Sequence, residues 1–166
     1  GRVDAGLLTL PVEESDLVTV PVLREELLLV TMPTHPLARN RKSRRVAPAE
    51  LSGQPFVLFE TGSATRDVID SFFLTEKIEP TLVMDTENVE ILKAMVKTGL
   101  GISIVPYQAI AREVRAGQFF CARIEGRQLV RETGWVYART SRIPRMIEEL
   151  MTAFDRVRGR LQLAPP

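Results

Sequence analysis

Between Gln54 and Gly117 the chain alternates short apolar runs with stretches of helical periodicity, and no other feature limits its fold so strongly. Phe56-Val57-Leu58-Phe59 is a continuous apolar run, the pattern of a strand covered on both faces. A small polar loop comes next, Glu60-Thr61-Gly62-Ser63-Ala64-Thr65-Arg66, and then Val68, Ile69, Phe72 and Phe73 recur at helical spacing. The pattern repeats: Thr81 to Asp85 predicts a strand, and Thr86-Glu87-Asn88 can cap a helix with Val89, Leu92, Met95 and Val96 on its apolar face and Gly99 as its stop. Gly101 to Val105 predicts another buried strand, Pro106 stands at a first helical position, and Gln108 to Ala116 forms a third helix ending at Gly117. Strands and helices alternating through short loops predict an α/β fold with a largely parallel sheet covered on both faces.

The flanks are less regular. Val3 to Leu8 predicts a buried strand, Leu17 to Val22 a mixed one ending near Pro21, and Leu27 to Met32 a covered strand closed by Pro33. Residues 33–50 lose periodicity and carry Arg39, Arg41, Lys42, Arg44 and Arg45, a solvated loop or a phosphate contact. Phe119 to Ile124 and Leu129 to Ala138 are strand-like. A final helix presents Met146, Ile147, Leu150, Met151, Phe154 and Val157, with Glu148 and Glu149 on its other side.

Composition narrows the function classes. A chain of 166 residues, 45% hydrophobic and 26% charged, fits one packed domain or two small lobes and excludes wholesale disorder. Lys and Arg total 22 against 21 Asp and Glu, a net charge of +1, which argues against a globally basic nucleic-acid binder. No apolar run approaches the roughly 18 residues of a membrane helix. No basic-then-apolar leader is visible at Gly1, and the absence of an initiator Met makes the chain read as a piece of something longer.

His35 and Cys121 are the single histidine and the single cysteine, so metal sites built from several such residues are excluded. Any Cys–His pair or Ser–His–Asp triad would have to use His35, which lies in the turn Pro33-Thr34-His35-Pro36, while Cys121 sits in a strand. There is no Gly-x-Ser-x-Gly, no phosphate-loop Gly-Lys-Ser/Thr, and Gly99-Leu100-Gly101 runs on to Ile104 where a dinucleotide fingerprint needs glycine. The expectation is a non-enzyme with no metal and no cofactor.

One loop has binding chemistry. Gly62, Ser63 and Thr65 precede an amphipathic helix whose first turn leaves backbone N–H groups unpaired and partly positive. In open α/β sheets, ligands lie beyond the carboxyl ends of strands, where this loop falls. It can hold a carboxylate or other small anion, or Ser63 or Thr65 can simply cap the helix. Arg66 has the same ambiguity, being offset by a ligand carboxylate or Glu60, or else exposed.

The order of motifs resembles the effector-binding domain of LysR-type transcriptional regulators. Gly1-Arg2-Val3-Asp4-Ala5-Gly6-Leu7-Leu8 resembles the family's Gly-x-Leu-Asp-x-Gly strand, Pro21 to Val30 its next strand pair, and His35-Pro36-Leu37-Ala38 the turn after it. Leu51 and Pro55 fit the spacing ahead of the Phe56 strand. Thr65-Arg66-x-x-Ile69-Asp70-x-Phe72-Phe73 and Val96-x-x-Gly99-Leu100-Gly101-Ile102-Ser103-Ile104-Val105-Pro106 are the most specific pieces, and the similarity runs from Gly1 to about residue 158.

The resemblance implies an α/β, type II periplasmic-binding-protein-like fold: two Rossmann-like lobes joined by two crossing strands, the first lobe N-terminally truncated. Residues 1–21 plus 131–166 would form part of the first lobe and 22–130 the second. The family's DNA-reading helix-turn-helix and the opening elements of the first lobe would precede Gly1. By position, effector contacts fall on Thr9 and on Gly62, Ser63, Ala64 and Thr65, with Thr86 and Glu87 either at another helix start or mere caps. The family pairs subunits antiparallel, so Val68, Ile69, Phe72 and Phe73 supply either a dimer face or the core. In function, the resemblance implies the ligand-sensing module of a cytoplasmic, oligomeric regulator that takes a small anionic effector and touches DNA only through the missing domain, with no membrane partner. Two rivals share the architecture: an exported solute-binding protein, and an enzyme using hydroxyl side chains as acids.

Overall fold

The computed structural model describes residues 3–39, 43–139, 145–161 and 163. Its organising element is one long strand. β1 (Ala5–Thr9) is followed by β2 (Leu17–Thr31), a 15-residue strand that merges the two separate strands expected around Pro21. Pro21 does not end it because the register shifts between Pro21 and Leu23, and a bulge is where a sheet tolerates a residue without N–H. Opposite Pro21 stands Gly134, where a Cβ would lie 2.7 Å from the Val20 carbonyl oxygen. The two strands can approach there only with glycine.

The two ends of β2 serve different sheets of neighbours. Its first part, Leu17 to Glu26, pairs antiparallel with β8 (Val130–Ala138), which in turn pairs with β1. Its second part pairs antiparallel with β6 (Ser103–Pro106) and β7 (Phe120–Ile124). β3 (Arg45–Val46) lies parallel to β7, and β4 (Pro55–Phe59) parallel to β5 (Thr81–Thr86). Ile102, just ahead of β6, links it to β4 through Ile102 N–H to the Pro55 carbonyl at 2.8 Å and Val57 N–H to the Ile102 carbonyl at 2.9 Å. The sheet is thus mixed rather than largely parallel. The strand–helix–strand stretch is parallel as expected, and the departure comes from β2, antiparallel to β6, β7 and β8, and from the antiparallel β1–β8 pair, partners that periodicity could not name.

Helix α1 (Ala64–Glu76) ends on left-handed Lys77, which no sequence signal marked; α2 (Val89–Thr98) lies between its expected cap and stop; and α3 (Tyr107–Arg115) starts one residue before the expected Gln108, with Pro106 as its N-cap rather than its first helical residue. Asn88 caps α2 by accepting from the Glu90 and Ile91 amides, and Gly99 closes it with φ +79°. The main core gathers Leu27–Val30, Phe56–Leu58, Leu92, Val96, Ile104 and Ile110, each worth roughly 1.5–3 kcal/mol of transfer free energy when fully buried. Ile69, Phe72 and Phe73 belong to it, and the Phe73 ring packs edge-on to Phe56 at 5.2 Å. Three of the four residues suggested for a dimer face are therefore taken up by the chain's own interior. Only Val68 remains part-exposed.

At the other end, α4 (Arg145–Arg158) covers β8, with Phe154 edge-on to Trp135 at 5.6 Å. The basic loop is solvent-facing where it is described: Arg39, Arg44 and Arg45 are exposed, while Arg41 and Lys42 lie outside the described residues. His35 is more than a loop residue. Its Nδ1 accepts from the Leu37 amide at 3.2 Å and caps a short helical turn, and its partial burial lowers its pKa. No described helix is long and apolar enough to cross a membrane.

Candidate functional site

The loop from Glu60 to Ser63 leaves the carboxyl end of β4 and turns into α1. Gly62 sits at φ +88°, a backbone conformation that glycine reaches without steric cost. Ser63 is the N-cap: its Oγ accepts from the Arg66 amide at 3.3 Å, and its carbonyl from the Asp67 amide at 3.0 Å. The amides of Ala64 and Thr65 are left without an acceptor among the described residues, so the partly positive end of α1 is open there.

Thr65 is where the loop meets the crossing strands. Its buried hydroxyl accepts from Arg131 Nη1 of β8 at 2.8 Å. The same guanidinium donates from Nε at 3.1 Å and from Nη2 at 2.5 Å to Glu25 Oε2 of β2. Glu25 and Arg131 stand opposite one another in the β2–β8 register, and Glu25 is only 6% exposed. A guanidinium has five N–H donors, so these three bonds leave one free on each terminal nitrogen. Helix end, hydroxyl and fixed cation converge on the strands that run between the two ends of the molecule. An arginine fork and bare amides are both groups that favour a carboxylate.

Beside this junction a crevice of about 470 Å³ separates Leu10 and Pro11, just past the end of β1, from Ala64, Asp67 and Val68 of α1 and from residues 127–130. A smaller one of about 400 Å³ adjoins it, between Leu10, Pro11 and Val12 on one side and Val68, Val130 and Glu132 on the other. Both lie within the size range of small-molecule clefts.

The suggested residues fall into distinct places. Ala64 lines the larger crevice, whereas Ser63 and Thr65 line neither of the two. Thr9 ends β1 opposite Thr133, whose buried Oγ1 has no hydrogen-bond partner among the described residues. Thr86 Oγ1 accepts from the Asn88 amide at 3.1 Å, a turn contact, and Glu87 is exposed. Arg66 takes neither Glu60 nor solvent: it pairs with Asp70 at 2.8 Å and donates to the Phe59 carbonyl at 2.8 Å, which pins α1 to β4.

Sequence reasoning missed Glu25 and Arg131. The available signal was a pair of opposite charges inside two otherwise strand-like segments, Glu25 ahead of Leu27–Val30 and Arg131 within Val130–Ala138. Only their register makes them neighbours. Cys121 is buried in β7, and burial raises its thiol pKa, the opposite of what a nucleophile needs. Among the described residues no group of His, Cys, Asp and Glu side chains has the arrangement of a metal site.

The sequence profile of the LysR substrate binding domain matches residues 1–158. The chain is 34% identical over 116 residues to the HTH-type transcriptional regulator YeiE of Escherichia coli K12, an alignment covering 70% of this chain and 38% of that protein. It therefore spans well under half the length of that relative. In structure it is similar to the regulatory domain of CcmR from Synechocystis PCC6803, solved with 2-PG, at TM-score 0.82 and 19% identity over 99% of this chain and 76% of that one. It is also similar to the effector-binding domain of QuiR, solved with shikimate, at TM-score 0.81 and 19% identity over 97% of this chain and 75% of that one. Crossing strands, mixed sheet and flanking helices thus have the type II periplasmic-binding-protein-like architecture of those regulatory domains, and with the profile matching nearly its whole length, this chain belongs to the LysR substrate-binding domain family.

Proposed function

We propose that this chain is the ligand-sensing part of a DNA-binding transcriptional regulator, taking a small organic anion where α1 meets the crossing strands. In this reading residues 1–21 and 131–166 belong to one lobe and 22–130 to the other. Gly62, Ala64, Thr65 and Arg131 receive the anion, Ser63 holds the helix end in place, and Thr9 faces it from the first lobe. The observation that supports this most is the shared contact of Arg131 with Thr65 on one side and Glu25 on the other. A carboxylate that competes for those donors would loosen α1 from β2 and β8, so ligand and lobe angle are coupled. Such a ligand shifts the equilibrium only by its differential affinity for the two arrangements.

The regulator acts by binding and not by turnover, it assembles with copies of itself, and DNA contact belongs to a separate helix-turn-helix. The similarity to the CcmR and QuiR domains, solved with 2-PG and with shikimate, supports a small-molecule effector here.

Titration calorimetry on the full-length protein, with shikimate and a panel of small organic acids, tests this. For the acid that binds, Thr65→Val should weaken affinity by about 1.5–3 kcal/mol, tenfold or more, as a hydrogen bond in a charged cluster is lost. An unchanged dissociation constant rules out the α1 junction as the site. The codons preceding Gly1 separate the regulator from an exported solute-binding protein, the first requiring a helix-turn-helix and the second a leader peptide.

A further inference from the structure

A second basic recess lies away from the α1 junction, between α3 and strands β2 and β7. It measures about 550 Å³, and its floor and wall are apolar: Leu28 of β2, Ala122 and Cys121 of β7, Tyr107 and Val114 of α3. Around it stand four guanidinium groups, Arg44, Arg45, Arg115 and Arg123, and among the described residues no carboxylate lines it. The backbone imposes this gathering. Arg45 and Arg123 are register partners in the parallel β3–β7 pair, and the Arg123 amide donates to the Arg44 carbonyl at 2.9 Å. Like charges set directly opposite one another destabilise a sheet unless something neutralises them.

Protein groups neutralise part of that charge. Arg123 forks onto Glu26 through Nε at 2.7 Å and Nη2 at 3.0 Å, and both residues also line an adjoining recess with Arg45. Arg45 has interactions of its own. Arg44 and Arg115 make no ion pair among the described residues; Arg44 reaches only the Cys121 sulfur at 4.0 Å. Arg44 is also held at φ +47°, a region side-chain-bearing residues seldom occupy. Arg44 and Arg115 are solvent-exposed, and two guanidinium groups without a carboxylate partner beside an apolar floor of ligand size suit an anion with an apolar body.

We infer that this recess is a second small-anion site, separate from the α1 junction, for an organic phosphate or carboxylate whose apolar part rests on Leu28, Ala122 and Tyr107. Arg44 and Arg115 hold the anionic group, and Arg123 contributes a donor not used by Glu26. The chemistry suits a co-effector read independently of the first.

Phenyl phosphate is the probe, titrated calorimetrically into the full-length protein at constant ionic strength, with hydrogen exchange followed at residues 43–46 and 114–124. Arg44→Gly combined with Arg115→Gln removes both unpaired charges, and glycine accepts the +47° backbone freely. Arg115→Gln alone, at the exposed end of α3, is the second variant. The expected results are saturable binding with slowed exchange in those segments, retention in Thr65→Val, and at least about tenfold weakening in the double variant. Three outcomes overturn the inference: no binding, equal binding by the double variant with its fold intact, or binding lost in Thr65→Val, which would move the anion to the α1 junction. Should the double variant misfold, undiminished binding by Arg115→Gln decides against the site.

Discussion

Replacing Arg131 with glutamine strikes the contact on which the proposed site turns, and its cost follows from burial. The guanidinium faces a Glu25 carboxylate that is 6% exposed and has no other partner among the described residues. Removing one member of a buried pair leaves the other charge desolvated and uncompensated, which costs about 3–5 kcal/mol, whereas an exposed pair is worth about 0–1 kcal/mol. The Thr65 hydroxyl loses its donor in the same step. Against a domain stability of about 5–15 kcal/mol, Arg131→Gln should shift the urea midpoint far with little change in slope. Glu25→Gln combined with Arg131→Gln removes both charges and should recover at least about 2 kcal/mol of the summed single losses, because no bare carboxylate remains. The assay is a double-mutant cycle by urea denaturation followed by circular dichroism. A loss below about 1 kcal/mol for Arg131→Gln, or strictly additive effects, would show that water screens the pair and that the junction is not a rigid element.

Two further outcomes are expected. Gly101→Ala should destabilise by about 1–3 kcal/mol, since a Cβ there would lie 2.7 Å from the Pro55 carbonyl oxygen in the β4–β6 contact; an unchanged melting temperature would refute it. The ion pair of Lys93 with Glu113 at 2.6 Å links α2 to α3. Burial is the largest single influence and disfavours the charge on each, but the hydrogen bonds and opposite charges around them together outweigh it: Glu113 and Glu90 hold Lys93 above the usual ammonium range, and Lys93, a backbone amide and Arg112 hold Glu113 below the usual carboxylate range. A depressed carboxylate contributes stability present above its unfolded pKa and lost as pH falls through the folded one. Glu113→Gln should therefore flatten the acid loss of stability between about pH 5 and 3, and an identical slope in thermal melts would contradict this.

What the sequence determined by itself was local. Apolar runs such as Phe56–Phe59 and periodic sets such as Val89, Leu92 and Val96 report burial and helical phase within a few residues, and Ser63, Asn88 and Gly99 mark the ends of helices because unpaired backbone groups need them there. Their order along the chain also carried the family resemblance. Tertiary structure decided the rest. It fused two expected strands through Pro21 and drew Ile69, Phe72 and Phe73 into the core. It also brought Arg131 to Glu25, 106 positions away, and to Thr65. Side-chain periodicity says which face of an element is apolar but not which strand lies beside it. A charge within a strand becomes a binding group or a counter-ion only through the partner that register places opposite it.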